Sequence, residues 1–117
     1  MDNNDLIIES FTVIDGPDHL GYYTAFNQLG SYLHLKADKK TPLYAERYQD
    51  VEGFSEGVAV VRLDSRGFHI LPDGKPAYER RYDGIVTTFQ DGHSIVYVGG
   101  PDLVLIKGPD GKIIEQA

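Results

Sequence analysis

"YAERYQDVEGFSEGVAVV", residues 44–61, is answered further along the chain by "YERRYDGIVTTFQDGHSIVYV", residues 78–98. The early parts of the two stretches match at a spacing of 34 residues and, after one inserted residue, the later parts match at a spacing of 35. The matched pairs are Pro42 and Pro76, Tyr44 and Tyr78, Arg47 and Arg81, Tyr48 and Tyr82, Val51 and Val86, Phe54 and Phe89, Gly57 and Gly92, and Val61 and Val96. Self-similarity at a fixed period of this length is typical of a repeat protein.

The downstream part of the unit is repeated as well. "GFHILPDGKPAY" (67–78) is echoed by "VLIKGPDGKII" (104–114) and preceded by "YLHLKADKKTPLY" (32–44), in which His34 lies 35 residues before His69. At 117 residues the chain is long enough for one domain. The predicted boundaries within it are an N-terminal segment with a degenerate copy over 1–41 and two repeats over 42–76 and 77–114.

Each unit consists of short segments with the composition of β-strands. "GVAVVRL" and "HSIVYVG" are rich in β-branched residues that partly alternate, and "GFHIL" places Phe68 and Ile70 on one face and His69 on the other. "DSRG" and "LPDGK" are hairpin turns, and "RYQDV" or "RYDGIV" supplies a further strand. The sequence therefore predicts an all-β fold in which each unit is a three-stranded antiparallel meander.

The N-terminal segment has the one helix signature of the chain. Residues 2–9, "DNNDLIIE", offer an Asn or Asp cap before an apolar run, which predicts a short helix, although "LIIESFTVI" reads equally well as a strand. A short array of meanders also exposes strand edges, which proteins cap, cover or use. The C-terminal edge is therefore expected to pair with the N-terminal segment, with a second copy or with a partner strand.

Composition excludes several classes of function. The net charge of −7 repels a phosphate backbone, so no nucleic-acid partner is expected. The absence of Cys excludes disulfides, thiolate chemistry and Cys-based zinc sites. The start, "MDNNDLIIESF", is acidic where a signal peptide is basic, and no stretch approaches the ~20 apolar residues of a membrane span. The expectation is a cytoplasmic protein without a membrane partner.

The repeated motif resembles the bacterial WG repeat. The shared elements are a Tyr, a Val, "FSEG", an alternating Ala-Val strand, an aromatic strand and "DGK", and the match is strongest over 42–82. The Trp-Gly signature is absent, and "RGFHI" (66–70) stands in its place, as in a variant branch of these repeats. The resemblance implies a β-rich interaction module more than an enzyme, and it carries no family active site to this chain.

His34 and His69 are equivalent in their units and are the candidate metal ligands. Side by side on adjacent strands they would share a metal ion, with Asp38 or Asp73 nearby. The alternative is that both are exposed strand residues that recur because the unit was duplicated. Two imidazoles without a fixed carboxylate set make a thin ligand shell, so no metal and no cofactor is assigned.

Two rows of Tyr and Arg are the candidate binding residues. They are Tyr44, Arg47, Tyr48, Tyr78, Arg81 and Tyr82. These residue types dominate binding hot spots, so a double row would make a Tyr/Arg binding face. The alternative is that the Tyr rings pack between units, because what recurs in a repeat is usually what packs it. The sequence favours the second interpretation and leaves the first open.

No residue pattern indicates catalysis. Ser55 in "FSEG" has Gln90 as its counterpart and stands in no nucleophile elbow, while Gly57 and Gly92 are predicted to occupy turns or bulges with positive φ. The leading hypothesis is therefore a non-catalytic interaction module that binds a protein partner, or self-associates as a homodimer, through a sheet edge or the Tyr/Arg face. The second hypothesis is a small-ligand or metal-binding protein that uses His34 and His69.

Overall fold

The computed structural model describes residues 8–97 and two further strands, Leu103–Lys107 and Lys112–Gln116, with side chains over 8–96. The described part contains nine strands and no helix. They are β1 Phe11–Asp15, β2 Tyr23–Asn27, β3 Tyr32–Leu35, β4 Asp50–Val51, β5 Ala59–Leu63, β6 Arg66–Ile70, β7 His93–Tyr97, β8 Leu103–Lys107 and β9 Lys112–Gln116. The predicted all-β fold is confirmed. Of the helix predicted over 2–9, residues 2–7 lie outside the described part, and residues 8 and 9 are irregular.

The strands form three antiparallel meanders. Sheet 1 is β1-β2-β3, sheet 2 is β4-β5-β6 and sheet 3 is β7-β8-β9, each in the order of the chain. In sheet 2, Val61 lies opposite both Val51 and Phe68, so three residues of one face form a row across the sheet. The N-terminal segment that the sequence marks as a degenerate copy thus contains a complete meander of its own.

Before the chain enters the next sheet, it pairs with the edge strand of the preceding one. Tyr48 exchanges two backbone hydrogen bonds with Tyr32 at the free edge of β3, and Tyr82 does the same with Gly67 at the edge of β6. In sheet 3 the corresponding edge of β8 is paired with β9. Among the described strands, β1, β4 and β9 each pair with only one neighbour.

Two-residue turns explain the repeated acidic-Gly pair. Ser55 and Val58 exchange backbone hydrogen bonds around Glu56 and Gly57, whose φ angles are 55° and 88°. Asp91 and Gly92, with φ of 53° and 80°, repeat this turn between Gln90 and His93. Positive φ at both central residues defines the type I′ hairpin, which suits the twist of the flanking strands. The predicted turn role of both glycines is confirmed.

The core lies between successive units and consists of two apolar clusters. Sheet 2 contributes residues of one face to the first cluster and residues of the other face to the second. Val61, Phe68 and Ile70 pack with Ala25, Leu33 and Leu35 of sheet 1. Val58 and Val60 pack with Val86, Phe89 and Val96 of the third unit. A single three-stranded meander has no partner for its apolar face, and stacking the units supplies one.

Candidate functional site

His34 is fully buried and uses both nitrogens of its ring inside the protein. Its Nε2 lies 2.8 Å from the backbone oxygen of Glu52, in the next unit. Its Nδ1 lies 2.6 Å from the hydroxyl of Tyr44, which also accepts the backbone N–H of His34 at 3.1 Å. Phe54 of the next unit covers the imidazole, with 4.5 Å between ring centroids.

His69 repeats this arrangement one unit later. Its Nε2 lies 2.9 Å from the backbone oxygen of Thr87, and its Nδ1 lies 2.6 Å from the hydroxyl of Tyr78. Phe89 covers this imidazole at 4.6 Å between centroids. Each histidine therefore connects the Tyr of the loop that follows its own sheet to the backbone beside the next sheet. We call this arrangement the His–Tyr clasp.

Hydrogen-bond chemistry assigns the protonation state of the clasp. A backbone carbonyl only accepts, so Nε2 carries the proton in both rings, and in a neutral imidazole Nδ1 then accepts the Tyr hydroxyl proton. Burial disfavours the charged form and lowers the pKa of His34, and it lowers the pKa of His69 to about 4. Burial likewise raises the pKa of Tyr44 and Tyr78. All four side chains are neutral near pH 7.

The clasp corrects the prediction that the two histidines are exposed strand residues. Both have 0% of their surface exposed, because each strand is covered on both faces. Neither has a lone pair free for a metal, since Nε2 is protonated and Nδ1 accepts a hydrogen bond. Asp38 and Asp73 instead cap turns, accepting the backbone N–H of Lys40 and of Lys75 respectively. No group of three potential metal ligands occurs within the described residues.

The Tyr rows belong to the core, which corrects the prediction of a Tyr/Arg binding face. Tyr44, Tyr48 and Tyr82 are only 6%, 4% and 3% exposed, and Tyr78 is half-buried. Tyr48 donates its hydroxyl to the backbone oxygen of Gly74 at 2.5 Å, which connects its loop to the next sheet. Rings buried to this extent do not offer a contact surface to a partner.

The two arginines of the rows have separate roles. Arg47 forms a two-pronged ion pair with Glu9, at 2.6 and 2.7 Å, and this hydrogen bonding lowers the pKa of Glu9 to about 2. Arg81 lies over the ring of Phe68 at 4.3 Å from its centroid. Arg81 thus covers an aromatic ring of the core at the surface, whereas Arg47 holds the segment that precedes β1.

Loops of successive units are joined by further hydrogen bonds 34 to 36 residues apart. Asp18 Oδ2 accepts the backbone N–H of Phe54 at 2.9 Å, and Ser55 donates its buried hydroxyl to the backbone oxygen of Phe89 at 2.8 Å. Thr88 donates to Glu52, and the backbone N–H of Gly92 donates to Glu56. Ser55 therefore has a structural partner, as its lack of any catalytic context predicts.

These joined loops, together with residues of β1, β2 and β4, form an open groove of about 510 Å³ that crosses three units. It is lined by Ile14, Asp15, Pro17, Asp18, His19 and Thr24 of the first unit, Val51, Glu52, Gly53, Phe54 and Ser55 of the second, and Thr88 and Gln90 of the third. The apolar residues of the lining are Ile14, Pro17, Val51 and Phe54, of which Ile14 is exposed and Val51 and Phe54 are buried beneath the surface. The groove is the concave surface that the stacking of the loops creates.

The groove is negatively charged. Asp15, Asp18 and Glu52 contribute three carboxylates, and the lining includes no Lys or Arg. Asp18 is held rigidly, because its Oδ1 accepts the backbone N–H of Leu20 and of Tyr22 while its Oδ2 accepts that of Phe54. The arrangement suits a cationic group whose aliphatic part rests on the apolar surface.

Sequence reasoning did not find the groove or the clasp. The groove depends on loops that come together only when the units stack. The clasp did leave a signal, because a strand His is followed by a Tyr after ten residues in one unit and nine in the next. Considered separately, the His residues suggest a metal site and the Tyr residues suggest a binding face.

Comparison with known proteins defines the class of fold and nothing finer. No protein-family model matches the chain, and no curated protein matches its sequence. The chain is similar to the crystal structure of BamB from Moraxella catarrhalis, with a TM-score of 0.54 and 12% sequence identity, over 91% of this chain and 37% of that one. BamB has an all-β fold of the β-propeller type. This chain is thus an all-β repeat protein that spans little more than a third of that structure.

Among the described residues there is no helix long and apolar enough to cross a membrane.

Proposed function

We propose that this chain is a non-catalytic β-repeat interaction module that binds a protein partner in the acidic groove. The observation that carries the proposal is the groove itself, to which three successive units contribute equivalent loops. Stacked repeats commonly bind partners on the concave surface that their stacking creates. The side chains that suggest chemistry in the sequence, His34, His69 and Ser55, are all engaged in bonds between units.

The chemistry of the groove favours a basic, extended peptide segment as the bound element. Its volume of about 510 Å³ lies within the range of ligand pockets, roughly 300–1,000 Å³, and fits a few residues of peptide. Three carboxylates complement Lys or Arg, and the net charge of −7 steers a basic partner toward the protein. A protein that binds and does not catalyse is also what kinship with WG repeats implies, and we propose that kinship on the motifs of residues 42–82.

The test compares two variants with the same change of charge. Asp15→Lys places a cation in the groove, whereas Glu79→Lys makes the same change at an exposed site outside it. A partner recovered stoichiometrically with the wild-type chain from the native host is titrated against both variants. Asp15→Lys is expected to weaken binding at least tenfold and Glu79→Lys to leave it within twofold. Equal effects of both variants would show that binding depends on net charge and not on the groove.

A further inference from the structure

Thr24 is a buried polar side chain in the lining of the groove. It is 5% exposed, and its hydroxyl forms no hydrogen bond with any of the described residues. The other buried polar side chains all form hydrogen bonds with the protein, and they are Asn27, His34, Ser55, His69 and Ser94. A buried hydroxyl without a partner is costly, so Thr24 differs from the rest of its class.

The next unit shows what packing alone requires at this position. Thr24 lies opposite His34 as Val60 lies opposite His69, so Val60 is the equivalent residue of sheet 2, and it is 3% exposed. Val has nearly the same shape as Thr and carries no hydroxyl. The first unit therefore has a polar atom where the stacking of units needs only an apolar one, and this atom lies at the groove.

A β-bulge in β1 places a carboxylate beside Thr24. Val13 pairs with Ala25, but the next pair is Asp15 with Thr24, so Ile14 is the extra residue of the bulge. Bulges re-aim side chains and are frequent beside functional sites. Directly opposed residues of antiparallel strands have Cβ atoms about 4.5–5.5 Å apart. The bulge thus brings the Asp15 carboxylate next to the Thr24 hydroxyl in the lining of the groove.

The carboxylates of the groove already accept hydrogen bonds from the protein. Asp15 Oδ1 accepts the backbone N–H of Gly16 at 2.9 Å, and Glu52 Oε1 accepts the hydroxyl of Thr88 at 2.7 Å. Asp18 uses both of its oxygens for backbone N–H groups. Within the described part of the chain, Asp15 Oδ2 and Glu52 Oε2 accept no hydrogen bond. The groove therefore offers single acceptor oxygens at separate points.

Separate acceptors suit an ammonium group better than a guanidinium group. The ammonium of Lys is a compact charge with three donors that can reach three different acceptors. Arg presents its donors in a planar fork, which matches both oxygens of one carboxylate. The side chain of Ile14, which is 50% exposed, provides apolar surface for the aliphatic stem of a Lys.

We propose that the groove binds the ammonium group of a Lys side chain of the partner through the Thr24 hydroxyl and the Asp15 carboxylate, and that it binds Lys in preference to Arg. Glu52 adds an acceptor from the second unit. The inference rests on the proposed function, because it names the residue type that the groove recognises. Acetylation of that Lys removes its charge and is therefore expected to release the partner.

The test uses defined peptides in place of the natural partner. A Gly/Ser peptide with blocked termini carries several lysines, and two matched peptides carry arginines or Nε-acetyllysines at the same positions. Fluorescence anisotropy measures the affinity of the chain for each. Because a hydrogen bond to a charged group is among the strong ones, we expect the wild type to bind the Lys peptide about tenfold more tightly than the Arg peptide. The acetylated peptide should bind more weakly than either.

Thr24→Val copies the residue of the second unit and isolates the hydroxyl. The affinity for the Lys peptide is expected to fall about tenfold, to that for the Arg peptide. The urea midpoint should not fall, because no hydrogen bond within the protein is lost. Thr12→Val makes the same change at an exposed position of β1 outside the groove and should leave the affinity for the Lys peptide within twofold.

The outcomes separate this inference from the proposed function. Equal binding of the Lys and Arg peptides by the wild type, with both lost in Asp15→Lys, would overturn the Lys preference and leave the groove as a site for basic peptides. A Thr24→Val variant that keeps the preference, or that unfolds at lower urea, would also overturn the inference, since the hydroxyl would then serve the fold. If the wild type bound none of the peptides, both proposals would be wrong.

Discussion

His69 and Thr87 are joined across two units by a hydrogen bond of 2.9 Å from the imidazole Nε2 to the backbone oxygen. Tyr78 holds the same ring from the other side, so one buried side chain sets the position of the strand, its loop and the next unit. His34 does the same 35 residues earlier, with Tyr44 and Glu52. Successive units are therefore connected by buried hydrogen bonds at equivalent points, and the stability of the array depends on these polar groups as well as on the apolar core.

Replacing His69 by Phe tests the clasp. The ring that replaces the imidazole is apolar and of similar size, and it removes the acceptor of the Tyr78 hydroxyl, whereas the Thr87 carbonyl keeps the Ser94 hydroxyl at 2.6 Å. An unsatisfied buried polar group costs about 1–3 kcal/mol, so we expect the free energy of unfolding to fall by roughly 1–3 kcal/mol in urea titration. His93→Phe, at an exposed position, is the control and should change it by less than about 0.5 kcal/mol.

Mild acid is expected to destabilise the protein through the same histidines. The pKa of His69 falls from 6.5 to about 4 on folding, so between these values the unfolded chain binds more protons than the folded one. The contribution to stability is complete above pH 6.5 and is lost as the pH falls toward 4. At 1.36 kcal/mol for each pKa unit, His69 alone accounts for about 3 kcal/mol, and His34 acts in the same direction.

Urea titrations at pH 7.5 and pH 5 measure this loss. The carboxylate of Glu9, with a pKa lowered to about 2, contributes stability that is lost only below about pH 4.5, so it does not interfere in this window. His69→Phe should show a smaller difference between the two pH values than the wild type. An unchanged difference in the variant would contradict the assignment of the pH dependence to the clasp.

A comparison of two glycines with nearly the same φ distinguishes the cost of backbone strain from the cost of side-chain crowding. Gly57 and Gly74 have φ of 88° and 87°, but a Cβ on Gly57 meets nothing within 4 Å, whereas one on Gly74 would lie 2.5 Å from the Cβ of Tyr44. Gly57→Ala is expected to cost about 1–2 kcal/mol from the left-handed backbone alone. Gly74→Ala adds overpacking of a further ~1–3 kcal/mol. Equal costs in thermal or urea unfolding would show that the turn at Gly74 moves away from Tyr44.

The period of the sequence predicted the meanders because strands, turns and Gly positions are local properties. Alternation in "GFHIL" placed Phe68 and His69 on opposite faces, as the structure confirms. The pattern did not reveal that both faces are covered. A polar residue that alternates with apolar ones indicates exposure in a single sheet, but in a stacked array the next unit covers that face.

The ambiguity over the Tyr rows has the same physical origin. Tyr48 and Tyr82 belong to types that occur both in cores and at interfaces, and composition does not separate the two. The hydrogen-bond partner of the hydroxyl shows whether a Tyr belongs to the core or to an interface. For Tyr48 this partner is the backbone of Gly74, 26 residues away. A contact of that separation exists only once two units have stacked.

Combined replacement of Tyr48 and Tyr82 by Ala tests whether the Tyr rows are core or surface. Each ring is at least 96% buried, and truncating a buried aromatic residue costs about 3–5 kcal/mol, so the double variant is expected to lose most of its native structure near room temperature. Tyr48→Phe removes only the hydroxyl and should cost about 1–3 kcal/mol while the fold persists. Circular dichroism and urea titration measure both effects. A double variant that folds with near-native stability and loses a partner would restore the Tyr/Arg face as a binding surface.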